Sequence, residues 1–231
     1  MTYTELSAAI QTYTENNFPT ITLADSSTVS STTQINRFIQ QAEQRIYNSV
    51  QFPSLRKNMT GTITSGNKYL SAPTDYLASY SMAVYTGAGP FTYLLNKDVN
   101  FIREAYPTPT DTGTPKYYAL FGPTVTSSVI STELSFILGP TPDAAYSVEL
   151  HFYYYPESIT TATTTWLGDN FDTVLLYGSL VEAYTFMKGE ADLVALYDGK
   201  YKEALALAKR LGDGMERQDA YRSGQYRQAV T

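Results

Sequence analysis

The chain reads as an α+β protein: an antiparallel helical bundle built from N-terminal and C-terminal helices, a central antiparallel β-sheet or sandwich, and a flexible C-terminal extension. Three observations predict this. Apolar residues recur at helical spacing at both ends, the period falls to two across the middle hundred residues, and the last twenty residues carry no apolar stripe. The expected divisions are 1–55 for the first helices with a long polar loop at 14–33, 56–158 for the β-domain, 159–211 for the closing helices and 212–231 for the extension.

Tyr3, Leu6, Ile10 and Tyr13 fall on one helical face, and Thr2 with Glu5 has the spacing of a capping box. The Ser- and Thr-rich run 14–33 holds Phe18, Pro19, Ile21 and Leu23 and is expected to be an arm ordered only by docking on something else. Ser31-Thr32-Thr33-Gln34 is a second capping signature. After it Ile35, Phe38, Ile39, Ala42, Ile46 and Val50 line one face and Gln40, Gln41, Glu43 and Gln44 the other. Pro53 ends this helix near Phe52.

From Arg56 onward Gly, Pro and Asn punctuate short alternating runs. Residues 59–64 and 68–70 flank Ser65-Gly66-Asn67 as an expected hairpin, and 80–86 with 91–95 flank Gly87-Ala88-Gly89-Pro90 as another. Strands are expected at 116–121, 124–130 and 133–138. The run 146–155 alternates strictly, with Tyr146, Val148, Leu150, Phe152 and Tyr154 on the core face and Ser147, Glu149, His151 and Tyr153 opposite. Helical spacing returns with Phe171, Val174, Leu175, Leu176, Leu180, Val181, Tyr184 and Met187, apolar on more than one side and so the buried helix. Lys188 and Gly189 are its stop signal. A final helix at 191–211 carries Leu193, Leu196, Tyr197, Tyr201, Leu205, Ala208 and Leu211 on its stripe and a charged, solvated opposite face. Burying six large side chains per helix is worth on the order of ten kcal/mol before entropy is subtracted, so the two helical ends are expected to stabilise one another.

Composition narrows the function. There is no cysteine and one histidine, His151, so the residues that usually carry nucleophilic, redox or zinc chemistry are nearly absent, and neither cofactor nor metal is expected. Charged residues make up only 16% while tyrosine alone supplies 21 residues, a balance suited to protein–protein contact. The formal charge of −6 disfavours sequence-reading of nucleic acid. No apolar run is long enough for a membrane helix, and Met1-Thr2-Tyr3-Thr4-Glu5 lacks the marks of a signal peptide, so synthesis in the cytosol is expected. Glu104, Asp111, Glu133, Asp143, Glu149 and Glu157 are the acids from which a glycosidase pair would be drawn, but nothing in their spacing fixes two at catalytic separation. Tyr153, Tyr155 and Trp166 are the aromatics for an alternative reading, a tail or receptor- and carbohydrate-binding β-module. In the extension, Tyr221, Arg222, Tyr226 and Arg227 are the residues suited to docking in a groove of another protein.

Several segments, taken in order, resemble the head-to-tail adaptor proteins of short-tailed and other tailed bacteriophages. They are Ile35-Asn36-Arg37-Phe38-Ile39-Gln40-Gln41-Ala42-Glu43-Gln44-Arg45-Ile46-Tyr47, Pro53-Ser54-Leu55-Arg56-Lys57 and Phe101-Ile102-Arg103-Glu104-Ala105-Tyr106-Pro107. Further along come Gly113-Thr114-Pro115-Lys116-Tyr117-Tyr118-Ala119-Leu120-Phe121, Gly139-Pro140-Thr141-Pro142-Asp143 and Trp166-Leu167. The resemblance implies a non-enzymatic virion protein of the neck, assembled in the host cytoplasm. It further implies a ring, dodecameric, beneath the portal protein, with tail or nozzle proteins below and genomic DNA passing through during ejection without sequence-specific binding. The extension 212–231 would reach the portal.

Overall fold

The computed structural model describes residues 1–50, 52–108, 110–122, 125–126, 129–130 and 134–216. Its elements run α1 (Tyr3–Thr14), β1 (Ile21–Thr22), β2 (Thr28–Val29), α2 (Ser31–Ser49) and a 3-10 turn at Pro53–Leu55. Then come β3 (Arg56–Ile63), β4 (Tyr69–Ser71), β5 (Ala78–Tyr85), β6 (Thr92–Asn96), α3 (Val99–Ala105), β7 (Thr112–Gly113) and β8 (Tyr117–Leu120). The chain continues through β9 (Val125–Thr126), β10 (Val129–Ile130), β11 (Ser135–Gly139), β12 (Thr141–Pro142) and β13 (Tyr146–Tyr153). It closes with α4 (Ile159–Ala162), α5 (Trp166–Asn170), α6 (Asp172–Phe186) and α7 (Ala191–Glu216). The fold is mixed α+β, with seven α-helices and a large, mostly antiparallel sheet among the described residues. Two compact units result, one from 1–55 with 156–231 and one from 56–155.

In the helical unit α6 has no polar face. Val174, Leu175, Leu176, Leu180, Val181, Ala183 and Tyr184 are all buried, and α1, α2, α5 and α7 pack around them. Gly178 allows the closest approach: a β-carbon there would lie 3.2 Å from both Ala42 of α2 and the Tyr201 ring of α7. Helix α1 opens with the expected capping box, Thr2 accepting from the Glu5 amide and Glu5 from the Thr2 amide, and buries Leu6 and Ile10. Helix α2 buries Ile35, Phe38, Ile39, Ala42 and Ile46 as expected, but its N-cap is Ser30, one residue early, accepting from the Thr33 amide. At the end of α6 the left-handed residue is Lys188 at φ 54°, and the Gly189 amide donates to Tyr184 O at 2.9 Å. Helix α7 turns Tyr201, Ala204 and Ala208 inward. The stripe expected for it splits, because Leu196 and Leu211 are exposed, and Leu207 is exposed beside them. Helix α7 also continues past Leu211, so Gly212 to Glu216 are helix rather than extension.

The β-unit is built on one seven-stranded sheet ordered β3-β13-β5-β6-β8-β11-β4, with the small pairs β7–β12 and β9–β10 beside it, rather than on two large facing sheets. Its β5–β6 hairpin is as expected. The hairpin expected from 59–64 and 68–70 is not formed: β3 pairs with β13 and β4 with β11, at opposite edges of the sheet. Gly66 still turns the chain at φ 76°, since local turn chemistry fixes the bend but not the partner of the strand that follows. The link from Ile63 to Tyr69 spans at most about 21 Å, whereas six strand spacings in a flat sheet need about 29 Å. The sheet therefore curls, and Met82, Val84, Tyr118, Phe136, Leu138, Val148, Leu150 and Phe152 fill its enclosed side. Strand β13 alternates as expected, with Tyr146, Val148, Leu150 and Phe152 buried.

Helix α3 was not expected from the sequence. It forms because β6 and β8 are parallel neighbours and a parallel connection needs a crossover. Asp98 caps it, accepting from the Asn100 amide at 2.7 Å, and Ile102 packs on Ala119 and Ile137 on the outer side of the sheet.

The 14–33 arm is ordered by its own subunit rather than by docking elsewhere. Phe18 is fully buried and lies 5.3 Å from the Phe38 ring. The buried Gln34 amide donates to the carbonyls of Pro19 at 3.0 Å and Phe18 at 3.3 Å, holding the root of the β1–β2 hairpin. Gln34→Ala leaves those carbonyls without their donor, at a cost of about 1–3 kcal/mol. Hydrogen exchange is expected to show residues 20–29 opening faster while α6 amides keep their protection; unchanged exchange at the hairpin would refute the clamp.

Candidate assembly interface

The β1–β2 hairpin stands on that clamped root and carries apolar residues outward, with Ile21 40% and Leu23 46% exposed. At its tip Asp25 accepts from the Ser27 hydroxyl at 2.6 Å and the Ser27 amide at 3.0 Å, and these bonds hold its carboxyl below the usual range and ionised. Ser26 is left-handed at φ 66°, as the tight turn requires. An isolated two-stranded hairpin is marginal in water. Here the root supplies the order and leaves the tip to present two aliphatic side chains beside a fixed negative charge.

Two further surfaces present apolar groups. On α7, Leu196, Leu207 and Leu211 lie on one flank beside the inward face, a second stripe left exposed among the described residues. On the outer side of the sheet Tyr93 is 70% and Leu95 60% exposed, while Leu94 between them is buried. A strand apolar on both faces is the pattern of a strand covered on both faces. Phe101 of α3 continues this surface, with the Lys97 ammonium 5.4 Å from its ring centre and the Tyr117 ring edge-on at 5.3 Å. The sequence reading passed over this face, although Phe91, Tyr93 and Leu95 were legible as one side of an alternating run.

Three of the acids singled out from the sequence are engaged locally. Asp111 accepts from the Thr108 hydroxyl at 2.6 Å, Asp143 from the Tyr146 hydroxyl at 2.5 Å and Glu149 from the Asn58 amide group at 2.9 Å. Glu104 and Glu157 are exposed, and Glu133 lies outside the described residues. His151 is half-buried with the Tyr80 ring edge-on at 5.1 Å. Among the described residues no group of three or more His, Asp or Glu could hold a metal ion. Trp166 belongs to the helical unit, where its half-buried ring packs 5.0 Å from Phe52 and 5.6 Å from Phe171. Tyr153 belongs to the β-unit, 6.0 Å from Tyr80. Tyr221, Arg222, Tyr226 and Arg227 lie outside the described residues. No helix among the described residues is long and apolar enough to cross a membrane.

One buried acid stands apart. Glu43 on α2 is 3% exposed and accepts from the Ile159 amide at 2.9 Å, so it ties α2 to the point where the chain has re-entered the helical unit. Burial pushes its carboxyl above the ordinary value, against the opposing pull of the Ile159 amide and the Ser158 hydroxyl.

Asp111, Asp143 and Glu149 are thus engaged locally, while apolar side chains stand outward on the β1–β2 hairpin, on α7 and on the sheet, a surface suited to packing against other proteins. The chain matches the family model described as SU10 adaptor protein over residues 1–228 and belongs to that family of phage adaptor proteins. No match was found among curated proteins.

Because the folded-state value of Glu43 is raised, the native protein binds the proton more tightly than the unfolded chain. The contribution of Glu43 is therefore most favourable below pH 4.5, its ordinary value, and declines as pH rises through the raised one. Glu43→Gln, which still accepts from Ile159, is expected to flatten that decline in urea unfolding measured from pH 4.5 to 7. An identical slope in wild type and variant would contradict the assignment.

Proposed function

We propose that this chain is the head-to-tail adaptor subunit of a bacteriophage, closing with copies of itself into a dodecameric ring beneath the portal protein. The ring extends the DNA channel, lets the genome pass without sequence-specific contact during ejection, and offers tail proteins their attachment surface at the virion neck. Its helices act as an antiparallel bundle packed beside ring neighbours, and the segment beyond α7, with Tyr221, Arg222, Tyr226 and Arg227, docks on the portal. The observation that carries this reading is the clamped hairpin. Its root is tied into the subunit by Gln34 and Phe18 while Ile21 and Leu23 point away from it, an arrangement with no use to the isolated subunit. A hairpin on one face meeting a different face of the next copy is a heterologous contact, the kind that closes rings.

Two experiments test it. The full chain mixed with its portal is expected to form closed rings by native mass measurement and electron microscopy, and removing residues 217–231 to weaken portal binding by at least about tenfold, the scale of losing one anchor side chain. Unchanged portal binding would defeat the docking role. Ile21→Asp with Leu23→Asp alters exposed residues only, so the subunit's stability is expected to stay within about 0.5 kcal/mol while rings fail to close. Normal rings from that variant would remove the hairpin from the interface.

A further inference from the structure

Between the end of α6 and the start of α7 runs a groove of about 520 Å³, in the size range that takes a side-chain-sized ligand. Val181, Tyr184, Ala191, Val194 and Ala195 make it mostly apolar, and Asp198 closes one wall. Its rim is acidic on balance: Glu190, Asp192 and Asp198 stand against Lys188 and Lys202, and Lys202 already pairs with Asp198 at 2.6 Å. The segment that follows α7, residues 217–231, has the complementary composition, three arginines against the single Asp219, with Tyr221 and Tyr226 as its aromatic residues.

Reach selects which of these residues meets the groove. Asp198 lies about 27 Å back along α7 from Glu216. An extended chain leaving Glu216 carries Tyr221 at most about 17 Å but Tyr226 about 35 Å. Tyr221 falls short, and Tyr226 with Arg227 is the first aromatic–cation pair that arrives, the ring over the apolar floor and the guanidinium at Glu190 and Asp192.

We propose that in the free subunit residues 217–231 fold back along their own α7 and seat Tyr226 in the α6–α7 groove, withholding the segment from the portal until the portal competes for it. This rests on the portal-docking role of the segment and adds its regulation. A ring then assembles on a portal rather than in free solution, because the docking residues are released only where a better partner is present.

The absence of cysteine makes the test clean. Two double variants of the full chain are compared at low concentration under mild oxidation: Ala195→Cys with Gln228→Cys, and Ala195→Cys with Ser223→Cys. Ala195 lies about 31 Å back along the helix, within reach of position 228 at about 41 Å but beyond position 223 at about 24 Å. The 228 pair is expected to form an intramolecular disulfide at least about tenfold faster than the 223 pair, by its higher effective concentration. Because reach alone favours 228 over 223, Tyr226→Ala is the test of seating: it is expected to slow the 228 pair at least about tenfold, and an unchanged rate would overturn the groove. Equal rates for the two pairs, or disulfide-linked dimers as the main product, would overturn docking within the subunit. The locked 228 protein is then expected to bind portal at least about tenfold more weakly than after reduction; equal binding would overturn the withholding role. The underlying portal role is read separately: if removal of 217–231 leaves portal binding intact, that role fails whatever the disulfide rates, whereas portal binding lost on truncation with no disulfide preference leaves the role standing and sinks only the groove.

Discussion

The all-round burial of α6 is the constraint on which the rest of the helical unit depends. A helix with Val174, Leu175, Leu180, Val181 and Ala183 on successive sides has no face to offer water, so other elements must enclose it. Two of its covers, α1 and α2, precede the β-unit in sequence and two, α5 and α7, follow it. The hundred residues of the β-unit must therefore leave the helical unit and return to it. Both departures are pinned there, Phe52 against Trp166 and Phe171 before the exit, and Ser158–Ile159 against Glu43 after the return. Inserting a domain is tolerable because its own core, centred on Phe136 and Phe152, needs nothing from the helices.

What was legible in the sequence was whatever is decided locally or by one buried face. The Thr2–Glu5 box, the α2 stripe, the alternation of β13 and the β5–β6 hairpin each involve neighbours within a few residues or one repeated period. What was not legible required knowing a distant partner. The S-x-x-Q spacing at Ser31 and Gln34 fits a capping box, yet Gln34 points to Phe18 and Pro19, so the cap passes to Ser30. Gly66 makes a turn whichever strand comes next, and only the curl of the whole sheet sends β4 to β11. Helix α3 has a readable cap in Asp98 and apolar residues at Val99, Ile102 and Tyr106, but seven residues are too few for the period to outweigh the strands around it.

The surfaces follow the same division. That tyrosines and few charges favour contact between proteins was readable from composition, but which tyrosines are core and which are presented was not. Tyr118, Tyr146 and Tyr201 are buried, whereas Tyr93 is 70% exposed. Similarly, Ile21 and Leu23 are legible as apolar residues in a polar run that needs something to dock on, but the sequence does not say that this is α2 of the same unit. Phe18 and Gln34 supply the order from inside, which frees the apolar pair for use elsewhere.

That internal order bears on how strong a contact the hairpin can make. A segment that folds only on binding gives up part of its interaction energy to ordering, whereas a pre-ordered one keeps it. Phe18 and Ser26 hold positive φ values of 49° and 66°, conformations that cost a non-glycine residue on the order of 1–3 kcal/mol and persist only where the surroundings impose them. The folded subunit meets that cost in advance through the Phe18–Phe38 contact and the Gln34 bonds. Ile21 and Leu23 therefore stand on a backbone already set, and in the proposed ring two partly exposed aliphatic side chains would contribute more to a contact than they would from a loop. The strained root and the apolar tip are thus coupled: order is created where the chain is buried, and a contact made by the exposed end would carry no further ordering cost.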